Sequence, residues 1–324
     1  MQLPVLYFIS ILLAGGFLVS NPKVEKRVDD CKEAFEFIYG EFEVNNQVEI
    51  CFDSAGIPER YKSSVNMPVC DDTLCANVVL KIYWDLAGNY QSFDTLTGFP
   101  LTKFDHKKFS SDDYTKLDQI LKNRNSMLRI LKMTDLLDKS VKVQSKKVDA
   151  VTGATPVTIR KSIVEGAVYS SYTLWHFVNG SIKNQISNFT LDNYSEEVSR
   201  RMLLSDNYET QLFALKYFSE VDYEIQSELI FQVITQSVPL VKANTIIKMP
   251  LPFEESFKNY KLLSLFPELD NYSKSIFINR VLTERNVAEE FLPLILNHPD
   301  AFSKKQLDQI NSAFTKFEIS KKKN

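Results

Sequence analysis

Between Val78 and Trp84 the chain runs Val-Val-Leu-Lys-Ile-Tyr-Trp, mostly β-branched and aromatic, and predicts a strand. Asp85-Leu-Ala-Gly88 is a turn signal and Asn89–Phe93 opens a second strand, so the stretch reads as a β-hairpin with Gly88 available for positive φ. Upstream the period changes. Ala34, Phe35, Ile38 and Phe42 stand at helical spacing and predict a helix over 24–45, while 46–75, with Pro58, Pro68 and three cysteines, reads as irregular. Pro100 closes the hairpin region. Ser110 and Ser111 offer N-caps for a helix over 111–123, with Asp112 and Asp113 in its first turn and Leu117, Ile120 and Leu121 on its apolar face. A second helical stretch is expected over 125–138 and a short strand over 142–148. From Pro156 to Val178 one helix is expected, with Ile159, Ile163, Ala167, Ser171, Leu174 and Val178 on one face.

Beyond Gly180 a stretch rich in Asn and Ser, 181–196, reads as a polar linker. The rest is helical by pattern, over 208–220, 223–237, 254–266, 271–284, 286–297 and 303–317, with Pro239, Pro250, Pro252, Pro267 and Pro299 in the gaps. Short amphipathic helices in succession suggest stacked helical hairpins, similar to HEAT-type repeats, or a plain irregular bundle. The expected fold class is therefore an α+β domain with an antiparallel hairpin-containing sheet over 24–180, core 75–180. It is followed by the linker and an all-α domain over 197–319. A basic tail, 320–324, reads as solvated.

Residues 3–19 carry no charge and are mostly apolar, ending in Ala14-Gly-Gly16 and then Ser20-Asn-Pro22. Such a run reads as a signal peptide or an uncleaved anchor within residues 1–20, which implies export and a possible membrane association. The four cysteines, Cys31, Cys51, Cys70 and Cys75, all follow it, and an even number in an exported chain suggests disulfides, of undetermined pairing. An extracytoplasmic location follows as an expectation.

Composition narrows the function. The chain has 324 residues and a formal net charge of −3, which gives no electrostatic reason for a nucleic-acid partner. Glycines number only 9, and neither GxGxxG nor GxxxxGK(S/T) occurs, so Gly-rich nucleotide loops are excluded. The three histidines, His106, His176 and His298, are scattered, and no metal or Ser-His-Asp grouping emerges from their spacing.

One run carries chemistry: Asp149-Ala-Val-Thr-Gly-Ala-Thr155, followed by Pro156. It resembles the attachment sequence D-x-x-(S/T)-G-A-(S/T) of the FMN-binding domain family, which includes flavin subunits of the Rnf complex and of the sodium-translocating NADH:quinone oxidoreductase. Its five specified positions would match somewhere in a chain this long roughly once in a thousand sequences of average composition, so the match favours the family over coincidence. The hairpin turn from Asp85 to Gly88 resembles the D-x-x-G hairpin of that family. The resemblance covers about 75–180. It departs at Val157, where members often carry a hydroxyl, and in the insert around Lys103–His106.

The resemblance implies FMN esterified through its phosphate to Thr155 by a flavin transferase, with Asp149, Thr152, Gly153 and Ala154 completing the motif. A phosphoester needs a hydroxyl at the acceptor, Gly153 and Ala154 leave room for a modifying enzyme, and Pro156 suits the first helical position. Thr155 is then the expected N-cap, where a phosphate faces free N–H groups. Arg160 and Lys161 follow within two turns, and Tyr169, Tyr172, Trp175 and Phe177 are aromatics that would contact a flavin ring or fill a core. His106 beside Asp105 would line a flavin pocket or stand on the surface. Two functions follow as expectations: an exported electron-transfer flavoprotein whose helical half docks a redox partner, or a non-redox extracytoplasmic scaffold whose helical half binds a protein.

Overall fold

The computed structural model describes residues 30–40, 44–69, 76–103, 106–136 and 157–321. Its first part is a five-stranded antiparallel sheet: β1 (Asp30–Tyr39), β2 (Val44–Phe52), β3 (Pro58–Met67), β4 (Val78–Trp84) and β5 (Tyr90–Thr95), ordered in space as in the chain. The expected hairpin is β4–β5. The expected helix over 24–45 is absent from the described residues, which hold β1 and the start of β2 instead, and the irregular stretch 46–75 holds the rest of β2 and β3. Ile38, part of the supposed helical stripe, is 65 % exposed, whereas Phe37 is buried. A register shift between Glu33 and Phe35 then puts Phe35, Phe37 and Tyr39 on one face. The next strands alternate too, burying Val48 and Ile50, then Tyr61, Ser63, Val65 and Met67, then Leu80, Ile82 and Trp84.

That face is covered by helices. The first of them is α1 (Ser111–Lys122), capped by Ser110, whose Oγ accepts from the Asp113 N–H while the Asp113 carboxylate accepts from the Ser110 N–H. Then follow a short 3-10 turn (Met127–Arg129), α2 (Met133–Leu136), α3 (Val157–Lys161), α4 (Val168–Asn179) and α5 (Ser181–Asp192). The single helix expected from Pro156 to Val178 is broken between α3 and α4, where Gly166 takes φ of +74°. The polar linker expected at 181–196 is α5 for most of its length, its Ile182, Ile186 and Thr190 buried.

α4 lies across the sheet. Phe177 meets Phe37, Tyr39 and Trp84 with ring centroids 5.7, 5.2 and 6.0 Å apart. Burying rings of this size contributes about 2–3 kcal/mol each. Their polar ends are satisfied: Trp84 Nε1 donates to the Val178 carbonyl at 3.1 Å, and Tyr61 OH and Thr190 Oγ1 of α5 share a hydrogen bond of 2.8 Å. Cys31 and Cys51, directly opposite on β1 and β2, form a disulfide, which fits an oxidising, extracytoplasmic compartment. Cys70 and Cys75 lie outside the described residues, as do the apolar run 3–19 and the expected strand 142–148.

The second part is all helical, as the pattern predicts: α6 (Glu196–Leu203), α7 (Tyr208–Tyr217), α8 (Glu220–Ile225), α9 (Ser227–Gln236), α10 (Pro239–Lys248), α11 (Ser256–Ser264), α12 (Asn271–Thr283), α13 (Arg285–Asn297) and α14 (Lys304–Lys321). α6 and α10 escape the sequence pattern, the helix expected over 223–237 is divided at Gln226 between α8 and α9, and Pro239, expected in a gap, is the first residue of α10. Successive helices stack on one another, α6 on α7, α7 and α9 on α10, α10 on α12, and α12 on α13. Phe266, Phe277 and Phe291 are fully buried within this stack. Among the described residues no helix is long and apolar enough to cross a membrane.

Candidate functional site

The attachment-like run, with Asp149, Thr152, Gly153, Ala154 and Thr155, lies outside the described residues. Two residues after Thr155 stands α3, from Val157. Its end and α1 wall a cavity of about 700 Å³, lined among others by Lys116, Gln119, Ile120, Asn123, Arg160 and Lys161. That volume is in the range of small-molecule sites. Lys116 Nζ donates to the Arg160 carbonyl at 3.2 Å, which holds α3 against α1 and brings three cationic side chains to one wall.

The aromatics expected either to contact a flavin ring or to fill a core stand in the packing of α4. Phe177 is in the sheet core. Trp175 Nε1 donates to the Asn123 carbonyl at 2.9 Å and Tyr172 OH to the Leu131 carbonyl at 3.2 Å, and neither they nor Tyr169 line the cavity. His176 Nε2 hydrogen-bonds the Leu128 carbonyl at 3.0 Å, and burial lowers its pKa from the usual value, so the ring stays neutral near pH 7. His106 has φ of 57° in the turn that its N–H closes on the Lys103 carbonyl, outside the cavity lining.

A second cluster was invisible to sequence reasoning because its members come from four separate stretches of the chain. It centres on the turn after β4. Asp85 is 5 % exposed, and its Oδ1 accepts from the N–H groups of Ala87 and Asn89 at 2.9 and 2.8 Å. Its Oδ2 accepts from Asn89 Nδ2 at 3.0 Å, from the Thr210 hydroxyl of α7, and from Asn207 Nδ2 at 3.3 Å. Asn89 Oδ1 in turn accepts from Lys183 Nζ of α5 at 2.7 Å and from Arg124 at 3.0 Å, and Arg124 pairs with Glu209. Burial, reinforced by the Arg124 cation and opposed by Asp85, lowers the Lys183 pKa to about 8. Gly88 takes φ of +74°, and a Cβ there would sit 2.6 Å from the Lys183 carbonyl oxygen. The D-x-x-G turn is thus the plug by which the sheet engages α5 and α7.

The β2–β3 turn repeats the device. Asp53 Oδ1 accepts from the Ala55 and Ile57 N–H groups at 2.9 and 3.0 Å, Gly56 takes φ of +75°, and Oδ2 pairs with Arg201 of α6. The signal was present in the sequence, since Asp53-Ser-Ala-Gly56 has the spacing of Asp85-Leu-Ala-Gly88. A groove of about 490 Å³ between the turns is lined by Ile57, Asp85, Leu86, Arg201 and Thr210 among others. Comparison with family models, curated proteins and solved structures finds no match to this chain.

Proposed function

We propose that this chain is an exported flavoprotein that carries FMN as a phosphoester on Thr155 and works in extracytoplasmic electron transfer. The observation that carries the reading is the run Asp149–Thr155, with Thr152, Gly153 and Ala154 in their motif positions, ending two residues before a helix whose Arg160 and Lys161 wall a cavity of about 700 Å³. The lining fits the phosphate half of the cofactor: Lys116, Arg160 and Lys161 would neutralise its charge, and Ile120 gives an apolar wall beside them. In the attachment step the Thr155 hydroxyl would attack the FMN phosphorus of a flavin dinucleotide held by the flavin transferase, the phosphoester forming as the phosphoanhydride bond breaks and a nucleoside monophosphate leaves, with the hydroxyl proton passing to solvent. Bound FMN supplies electron transfer, and the chain contributes attachment, charge neutralisation and partial exclusion of water.

In this reading the α+β part is an FMN-binding-like domain, and the stacked helices are a HEAT-like docking half. Large apolar side chains exposed there, among them Val221, Ile225, Phe257, Tyr260 and Tyr272, support contact with a protein partner. They also favour the second reading, a non-redox scaffold that keeps only this docking role.

Intact mass after co-expression with an active flavin transferase decides between them. The expected result is a gain matching one esterified FMN that disappears in Thr155→Ala. An unmodified mass, with the transferase active on another substrate, overturns the flavoprotein and leaves the scaffold.

A further inference from the structure

Late in the stacked helices a hollow of about 310 Å³ lies between the last turns of α11 and α13 and the 3-10 turn Pro299–Ala301. Aromatic contacts build it. Phe266 and Phe302 stack with ring centroids 4.2 Å apart, which pins the turn after α13 to the segment after α11. Tyr260 of α11, half exposed, meets His298, the residue after α13, edge-on at 5.3 Å. Leu263 and Pro267 give the hollow apolar surface, and Tyr260, Asn297, His298 and Asp300 bring polar groups to it. Among the described residues the Asp300 carboxylate and the Asn297 side-chain amide have no hydrogen-bond or ion-pair partner.

The electrostatics of the hollow point one way. Its lining holds the Asp300 carboxylate and no Lys or Arg. The carbonyl ends of α11 and α13, helices of nine and thirteen residues, add partial negative charge, and the Tyr260 ring adds its negative face. Two neighbouring cations are turned elsewhere: Lys261 pairs with Glu228, and Lys274 donates to the Pro267 carbonyl at 3.1 Å. A metal ion is a poor fit, since one carboxylate and one imidazole fall short of a coordination shell, and no group of three His, Cys, Asp or Glu side chains occurs among the described residues. We propose that the hollow binds the ammonium or guanidinium head of an organic cation, whose N–H groups donate to Asp300 and to Asn297 Oδ1 while its carbon chain lies against Tyr260, Leu263 and Pro267. The site does not depend on the flavin.

The chain has only 3 histidines, so the ring-proton signals of His298 can be assigned with His298→Gln and followed by NMR on the full chain. The probes are n-butylammonium and methylguanidinium, with n-butanol as the uncharged control. With either cation the His298 signals are expected to shift and saturate with a Kd on the order of 10 mM, while those of His106 and His176 stay in place. No saturation below about 100 mM, or an equal response to n-butanol, overturns the proposal. Asp300→Asn keeps the shape and removes the charge of an exposed side chain, and is expected to weaken binding about three- to fivefold. Unchanged affinity in this variant also overturns the proposal, because the hollow would then be reading the carbon chain alone. Acetyl-Gly-Arg-Gly-amide separates the two sources of such a head group. Tighter binding than methylguanidinium assigns it to the side chain of a peptide partner, and equal or weaker binding assigns it to a free amine or guanidine.

Discussion

At Asp53–Ile57 and again at Asp85–Asn89 a hairpin closes with the same five-residue turn. In both, an aspartate Oδ1 accepts from the N–H groups two and four residues on, and in both a glycine sits at φ near +75°, at +75° and +74°. Around Gly56 a Cβ would meet nothing within 4 Å, whereas at Gly88 it would meet the backbone of α5. Among the described residues Asp53 has one partner beyond its own turn, Arg201, while Asp85 has Thr210 and Asn207 and stands one bond from Lys183 and Arg124 through Asn89. Local chemistry sets the shape of such a turn, and the surface it is pressed against sets how much depends on it.

The largest contrast is expected at the glycines. Gly88→Ala adds a collision with a backbone carbonyl to the strain of a left-handed residue, and a loss of about 3–5 kcal/mol is expected in urea unfolding. Gly56→Ala meets the strain alone, about 1 kcal/mol. Equal losses would mean that the packing of the turn against α5 carries no weight. Next come the aspartates. Asp85→Ala strands the Asn89 amide and the Thr210 hydroxyl in a buried place and is expected to lose about 3 kcal/mol. Asp53→Ala, in a solvated turn, should shift the unfolding midpoint visibly less, and a reversed order breaks the comparison.

The smallest effects are those of pH. The folded state holds the Lys183 pKa at about 8 against an ordinary 10.5, so between these values the unfolded chain binds the proton more readily and stability rises with pH. Lys183→Met should flatten that rise in an unfolding series from pH 8 upward, and an unchanged slope would assign the rise to another group. Asp53 works at the acid end. Its pKa is lowered, first by the Ile57 N–H and then by Ala55 and Arg201 against a partial desolvation, so its contribution is present above the usual carboxylate range and fades as pH falls through its folded value. Asp53→Asn should remove only that acid-side loss.

Legibility in the sequence followed the distance over which each pattern acts. The β4–β5 hairpin, α1 with its Ser110 cap, and the helices α7 and α11 to α14 rest on local signals and were readable. β1 was not, because Ala34, Phe35 and Ile38 stand at a sequence spacing that imitates a helix, while in the strand Phe35, Phe37 and Tyr39 pack and Ile38 is exposed. α5 was lost because its apolar face is thin. Ile182, Ile186 and Phe189 stand among Lys, Asn, Gln and Ser, and only the sheet beneath makes that stripe sufficient. At the site, Arg160 and Lys161 were named from sequence, whereas Lys116 and the partners of Asp85 become neighbours only through the fold.

The strands lie in space in the order in which they occur in the chain. For a polypeptide delivered N-terminus first, each strand therefore finds its partner already present, and no strand waits for a distant segment. The cross-link between Cys31 and Cys51 needs nothing beyond the first hairpin, so it can close before the helices have been made. The two aspartate turns then stand ready at one end of a finished sheet, and the helical half assembles against a template rather than alongside it.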